Sequence, residues 1–136
     1  MKLRVLNGLV ILTSLLGYLE WGADNRTFLF QAEWEVLRRL SSDPLSVIHP
    51  FTLVPLIGQI LLLITLFQRR PGAVLTLVGI ACLMLLLGLV CFIGLISLNG
   101  KIFASTIPFL TLAVYAIFSI WRSRKIKADS LHQETK

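Results

Sequence analysis

The sequence predicts an all-α integral membrane protein: a four-helix bundle with a short amphipathic interfacial helix in its first non-cytoplasmic loop. Three observations carry this. Apolar residues make up 56% of the 136-residue chain and charged residues only 15%, whereas a water-soluble domain usually carries about a quarter of its residues as charges. Mean hydropathy is +0.82. No charge at all occurs between Phe51 and Phe67, between Gly72 and Gly100, or between Ile102 and Trp121, and runs of that length are what a hydrocarbon core about 30 Å thick demands of a crossing helix.

The first predicted span runs from about residue 3 to 20. It resembles the front of a secretory signal, with Lys2 and Arg4 ahead of an apolar core. However, Glu20 and Trp21 stand where cleavage requires small residues, so a retained helix is expected. A second span covers about 47–67 and contains Pro50, Pro55, Gly58 and Gln59. Gln68, Arg69, Arg70, Pro71 and Gly72 form a polar turn into a third span, about 73–98. Asn99, Gly100 and Lys101 turn the chain into a fourth, about 102–121, which closes on Trp121 and a basic cluster. Residues 1–121 therefore form one transmembrane domain, and 122–136 a basic, solvated cytoplasmic tail that can touch anionic lipid. Short turns favour sequential antiparallel packing. Small residues at Gly88, Cys91 and Gly94 with Ala73 and Thr76 suggest where the third span approaches its neighbours.

Charge fixes the direction. Nine basic residues and two acids fall on the side of the termini and the turn at 68–72, against four basic residues and five acids on the other side. The basic side is expected in the cytoplasm, placing both termini there and the protein in the cell membrane as a multi-pass chain. The same distribution explains the net charge of +6 without a nucleic-acid ligand. Cys82 and Cys91, nine residues apart in one apolar run, read as packing residues beyond disulfide reach of each other.

The loop between the first two spans is the one sizeable polar region. From about 27 to 40 it predicts an interfacial helix capped by Thr27. Leu29, Ala32, Val36 and Leu40 recur at helical spacing, Phe30, Trp34 and Leu37 form an adjoining stripe, and Gln31, Glu35, Arg38 and Arg39 lie largely opposite. Asp43 and Pro44 look like a further helix start. Asn25-Arg26-Thr27 matches a glycosylation acceptor, but it lies too close to the end of the first span for efficient modification.

Two groups of polar residues are candidates for function. Glu20, His49, Arg38 and Arg39 form a possible cluster at the outer boundary, where a carboxylate beside an imidazole can relay protons or hold a headgroup. Gln59 and Tyr115 are a possible mid-membrane site. The Gln59 amide requires a hydrogen-bond partner in hydrocarbon, drawn from Asn7, Thr13 or Ser14 of the first span, Thr111 or Tyr115 of the fourth, or a substrate. One histidine in the outer region gives no metal or haem ligand set, and no cofactor is expected. The sequence carries no nucleophile with a base, no phosphate loop and no charge at mid-membrane, so an enzyme is the less favoured expectation. The leading expectation is a small structural or accessory subunit of a larger membrane assembly, with lipids and a membrane protein or a second copy of itself as partners; the alternative is an oligomeric small-solute transporter or channel.

Overall fold

Hydrophobic length dominates the architecture. The computed structural model describes residues 3–21, 25–47, 50–69 and 71–134. Among them five helices of more than one turn form, α1 (Leu3–Leu15), α2 (Leu29–Ser42), α4 (Pro50–Phe67), α5 (Ala73–Ile96) and α6 (Gly100–Glu134), together with a single turn, α3 (Pro44–Val47). The fold is all-α apart from a two-stranded antiparallel hairpin, β1 (Tyr18–Trp21) and β2 (Asn25–Phe28), that the sequence reading did not anticipate. Helices α5 and α6 are long and apolar enough to cross a membrane; α1 and the apolar part of α4 are shorter.

The four apolar helices pack in a closed ring, α1 on α4, α4 on α5, α5 on α6 and α6 on α1. Their shared core consists of Leu6 and Val10 of α1, Leu62 of α4, Ile80, Leu83 and Leu87 of α5, and Phe109, Ala113 and Ala116 of α6. Close approach of α4 to α5 requires glycine on both sides. A Cβ at Gly58 would lie 2.8 Å from the Gly79 carbonyl oxygen, and one at Gly79 would lie 2.9 Å from that of Gly58. The expected stripe on α5 is thus corrected: Gly94 does meet Ile102 and Phe103, but a Cβ at Gly88 would meet nothing, and Gly79 is the tight contact. Cys82 and Cys91 are free thiols, both half-buried.

Outward, the same helices present Val74, Leu85, Phe92, Ile96, Val114 and Phe118, all more than half exposed. Only 33% of the apolar window of α5 and 28% of that of α6 is buried within the chain. The core helix of a water-soluble protein would hide such residues; here the apolar surface faces outward and calls for an apolar surrounding.

The boundaries differ from expectation in three places. The first span was expected to reach residue 20, but α1 stops at Leu15. Gly17 then turns the chain under Leu87, where a Cβ would sit 2.6 Å from that side chain, and its carbonyl accepts the Leu29 N–H at 2.8 Å. This clamp closes the hairpin, in which Tyr18 faces Phe28 and Glu20 faces Arg26. The edge N–H of Tyr18 is satisfied by Ser105 Oγ at 3.0 Å. Second, α2, the helix expected over 27–40, begins at Leu29 rather than 27: Gln31 Oε1 accepts the Phe28 N–H at 3.2 Å, so a returning glutamine does the capping assigned to Thr27. Third, α6 continues through Glu134 instead of ending near 121. Residues 122–134 contain no proline or glycine to stop it, and Lys125 Nζ lies 4.5 Å over the Trp121 ring.

The ends of the ring are tied as antiparallel packing requires. Arg4 donates to the Gln68 carbonyl, bringing the start of α1 to the α4–α5 turn. The hairpin sits at the opposite end, where Asn99 Nδ2 donates to Glu20 Oε2 at 3.1 Å. There α5 closes with Leu98 in a left-handed conformation (φ 50°), and Asn99 N–H donates to the Gly94 carbonyl at 3.0 Å, the six-to-one bond that such a cap makes.

Candidate functional site

Polar side chains that fold into an apolar ring must find partners there, and they do so in two clusters. Toward the α1 N-terminal end, Asn7 is fully buried. Its Nδ2 donates to Thr65 Oγ1 of α4 at 2.7 Å and to Thr76 Oγ1 of α5 at 2.8 Å, so one amide joins three helices. Thr65 passes its own proton to the Leu62 carbonyl.

The second cluster lies nearer the hairpin end. Gln59 of α4 is buried, and its Nε2 donates to Ser14 Oγ of α1 at 3.2 Å, while Ser14 in turn donates to the Ile11 carbonyl at 2.7 Å. The third member comes from α2. Helix α2 turns Leu29, Glu33 and Val36 inward, spaced four and three residues apart along one stripe. Glu33 is only 8% exposed, and the Gln59 side chain hydrogen-bonds its carboxyl group. Burial pushes the Glu33 carboxyl up to about 7, and the bond from Gln59 holds it lower than burial alone would. Glu33 Oε1 has no partner among the described residues. A carboxyl group of this kind can take up and release a proton near neutrality.

The residues singled out from sequence distribute as follows. Glu20 lies on β1, half-buried and bonded to Asn99, beside a cavity of about 140 Å³ lined also by Leu19, Val90, Ile93 and Ile102. His49 lies outside the described residues. Arg38 and Arg39 are exposed on α2, and Arg39 Nε is paired with Glu35 Oε1 at 2.8 Å rather than with Glu20. Of the partners considered for Gln59, it meets Ser14. Tyr115 is 49% exposed on the outside of α6, so the structure does not bring it to Gln59.

Sequence reasoning missed Glu33. The available signal was its position on the Leu29–Val36 stripe, which a reading by hydropathy alone treats as a charge at the edge of an apolar face. The aromatic stripe was found, but it faces away from the bundle: Phe30, Trp34 and Leu37 are all exposed, Trp34 by 64%, and so is Leu40 at the end of the other stripe. Phe30 stacks on Phe28 at 5.8 Å, which meets Tyr18 edge-on at 5.4 Å, so hairpin and helix share one aromatic surface.

A larger cleft, about 360 Å³, opens between α4 and α5 and is lined by Pro50, Val54, Pro55, Leu85, Leu86 and Leu89. The wall formed by these described residues is apolar and suited to hydrocarbon. Among the described residues, no group of three His, Cys, Asp or Glu side chains is placed to hold a metal ion. Compared with protein-family models, with curated proteins and with solved structures, the chain matches none.

Proposed function

We propose that this chain is a multi-pass membrane protein in which α1, α4, α5 and α6 cross the bilayer with both termini in the cytoplasm, and that it serves as a small structural or accessory subunit of a larger membrane assembly. The observation that carries the reading is the contrast between the two surfaces of the ring. Its outward faces are apolar and uncovered by the chain itself, whereas the amide donors inside it are spent on neighbouring helices, Asn7 on Thr65 and Thr76, Gln59 on Ser14. Such interior bonds favour helix packing over a conducting path.

Lengths agree with this arrangement. At 1.5 Å per residue, α5 is about 36 Å long and α4 about 27 Å, close to the hydrocarbon thickness of about 30 Å. Helix α1 measures only about 20 Å, and the hairpin completes its side of the ring at the non-cytoplasmic boundary, its edge covered by Ser105. The aromatic face of Phe28, Phe30 and Trp34 then sits at headgroup depth, the usual place for such rings. Arg4 and Arg69 lie at the opposite end, on the cytoplasmic side.

Two experiments test this. Cysteines placed singly at Lys101 and Arg69, in a chain lacking Cys82 and Cys91, should react with a membrane-impermeant maleimide from outside only at position 101; labelling at 69 instead overturns the orientation. For the subunit role, a photo-crosslinking residue at Leu85 or Phe118 in intact membranes should yield one reproducible protein adduct of fixed mass. Adducts with lipid alone would overturn it.

A further inference from the structure

Helix α2 is held to the bundle by few side chains. Its inward stripe consists of Leu29, Glu33 and Val36, and the rest of its described surface is half-buried or exposed. The central contact of the three is the Glu33 carboxyl, which meets Gln59 of α4 and, through it, Ser14 of α1. One of its oxygens is buried with no partner among the described residues. We propose that Glu33, Gln59 and Ser14 form a proton-binding site that fastens α2, so that the helix is docked when the carboxyl carries a proton and loosened when it is ionised.

Among the described residues, no cation is placed to hold the ionised form. Helices α1 and α4, hairpin strand β2 and the turn α3 pack against α2. Within them, α3 and α4 contain no titratable side chain, and α1 contains only Arg4, engaged at the far end with Gln68. Strand β2 carries Arg26, which is exposed. On α2 itself Glu35, Arg38 and Arg39 are exposed, and Glu35 and Arg39 satisfy each other. Tyr18 and Glu20 stand on β1, Glu20 bonded to Asn99. Asp43 follows α2, and His49 lies outside the described residues. Among the described residues, an ionised Glu33 in the docked helix would thus depend on the Gln59 amide, in a largely buried site where hydration is poor.

The sign of the pH effect follows from the raised carboxyl. With the group near 7 when docked and near 4.5 when free, docking is fully favoured below 4.5, weakens as pH rises toward 7, and changes little above that. The docking equilibrium constant should fall roughly 70-fold between pH 5 and pH 8. Docking of α2 involves only groups of this chain and is independent of any protein partner.

The test is amide hydrogen exchange of the full chain in lipid nanodiscs at pH 5 and pH 8, corrected for the intrinsic pH dependence of exchange. The amides of α2 should lose protection by tens of fold at pH 8 while those of α5 keep theirs. Glu33→Gln, neutral at every pH and able to keep the bond to Gln59, should make α2 protection independent of pH. Gln59→Leu should move the midpoint upward, since the bond it removes favours the ionised form. A wild-type change below threefold overturns the proposal, whether or not the variants fold, and so does an equal change in Glu33→Gln.

Discussion

The two buried polar clusters use similar chemistry for different ends. In the first, a neutral amide at Asn7 ties α1 to the hydroxyls of Thr65 and Thr76 on helices of the ring itself. In the second, a neutral amide at Gln59 ties Ser14 of the ring to a carboxyl that arrives on α2, a helix outside the ring. Each leaves one oxygen unpaired among the described residues, Asn7 Oδ1 and Glu33 Oε1. An amide oxygen cannot change its charge, whereas a carboxylate can. The first cluster is therefore a permanent fastening and the second a conditional one, although both are built around a neutral side-chain amide.

The most severe way to disturb both at once is to part α4 from α5. Gly79→Val would drive a branched side chain into the Gly58 carbonyl and Leu62. It should cost about 3 kcal/mol or more, read as loss of the cooperative unfolding transition in detergent. The contrast itself is sharpened by unfolding at several pH values. Wild type should lose on the order of 2–3 kcal/mol of α2 docking from pH 5 to pH 8, with the loss concentrated between 4.5 and 7, the window set by the Glu33 carboxyl. Glu33→Gln should abolish that slope. Asn7→Leu should cost about 1–2 kcal/mol equally at every pH; a pH-dependent cost would erase the distinction between the clusters. At the small end, Glu35→Ala removes an exposed pair with Arg39 and should cost only about 0.3–0.5 kcal/mol in the stability of α2. A larger effect would mean that surface charge, and not Glu33, governs that helix.

Much of the apolar scaffold is legible because an uncharged stretch from Gly72 to Gly100 or from Ile102 to Trp121 admits few other readings. The starts of α5 and α6 fall within two residues of expectation for the same reason. The hairpin was hidden because four-residue strands carry too little alternation to register, and Tyr18 and Leu19 continue the hydropathy of α1 without a break. Where α1 ends, Gly17 lies closely under Leu87, and that is a fact about a residue seventy positions away. Glu33 was obscured by the same kind of ignorance. Periodicity divides α2 into stripes, but two of them are apolar enough to face inward, and the one containing Trp34 looks the more hydrophobic. The bundle instead takes the stripe with the carboxyl group, burying Leu29 and Val36 on either side of it and setting Gln59 opposite it. Gln59 itself was legible as a residue in need of a partner, since few amides occur in so apolar a run.

The bond between the Leu29 N–H and the Gly17 carbonyl gives any motion of α2 a fixed pivot. Its first residue is held to the end of α1, so on release the helix swings out from that end, and its turns, deprived of packing, fray and expose their amides as it does. Over 14 residues the lever arm is about 20 Å, and a paramagnetic label near Ser42 would sweep a wide arc while one beside Phe30 barely stirred. A hinge of this kind turns a single proton at mid-helix into a displacement of the far tip, with the near end still in its seat.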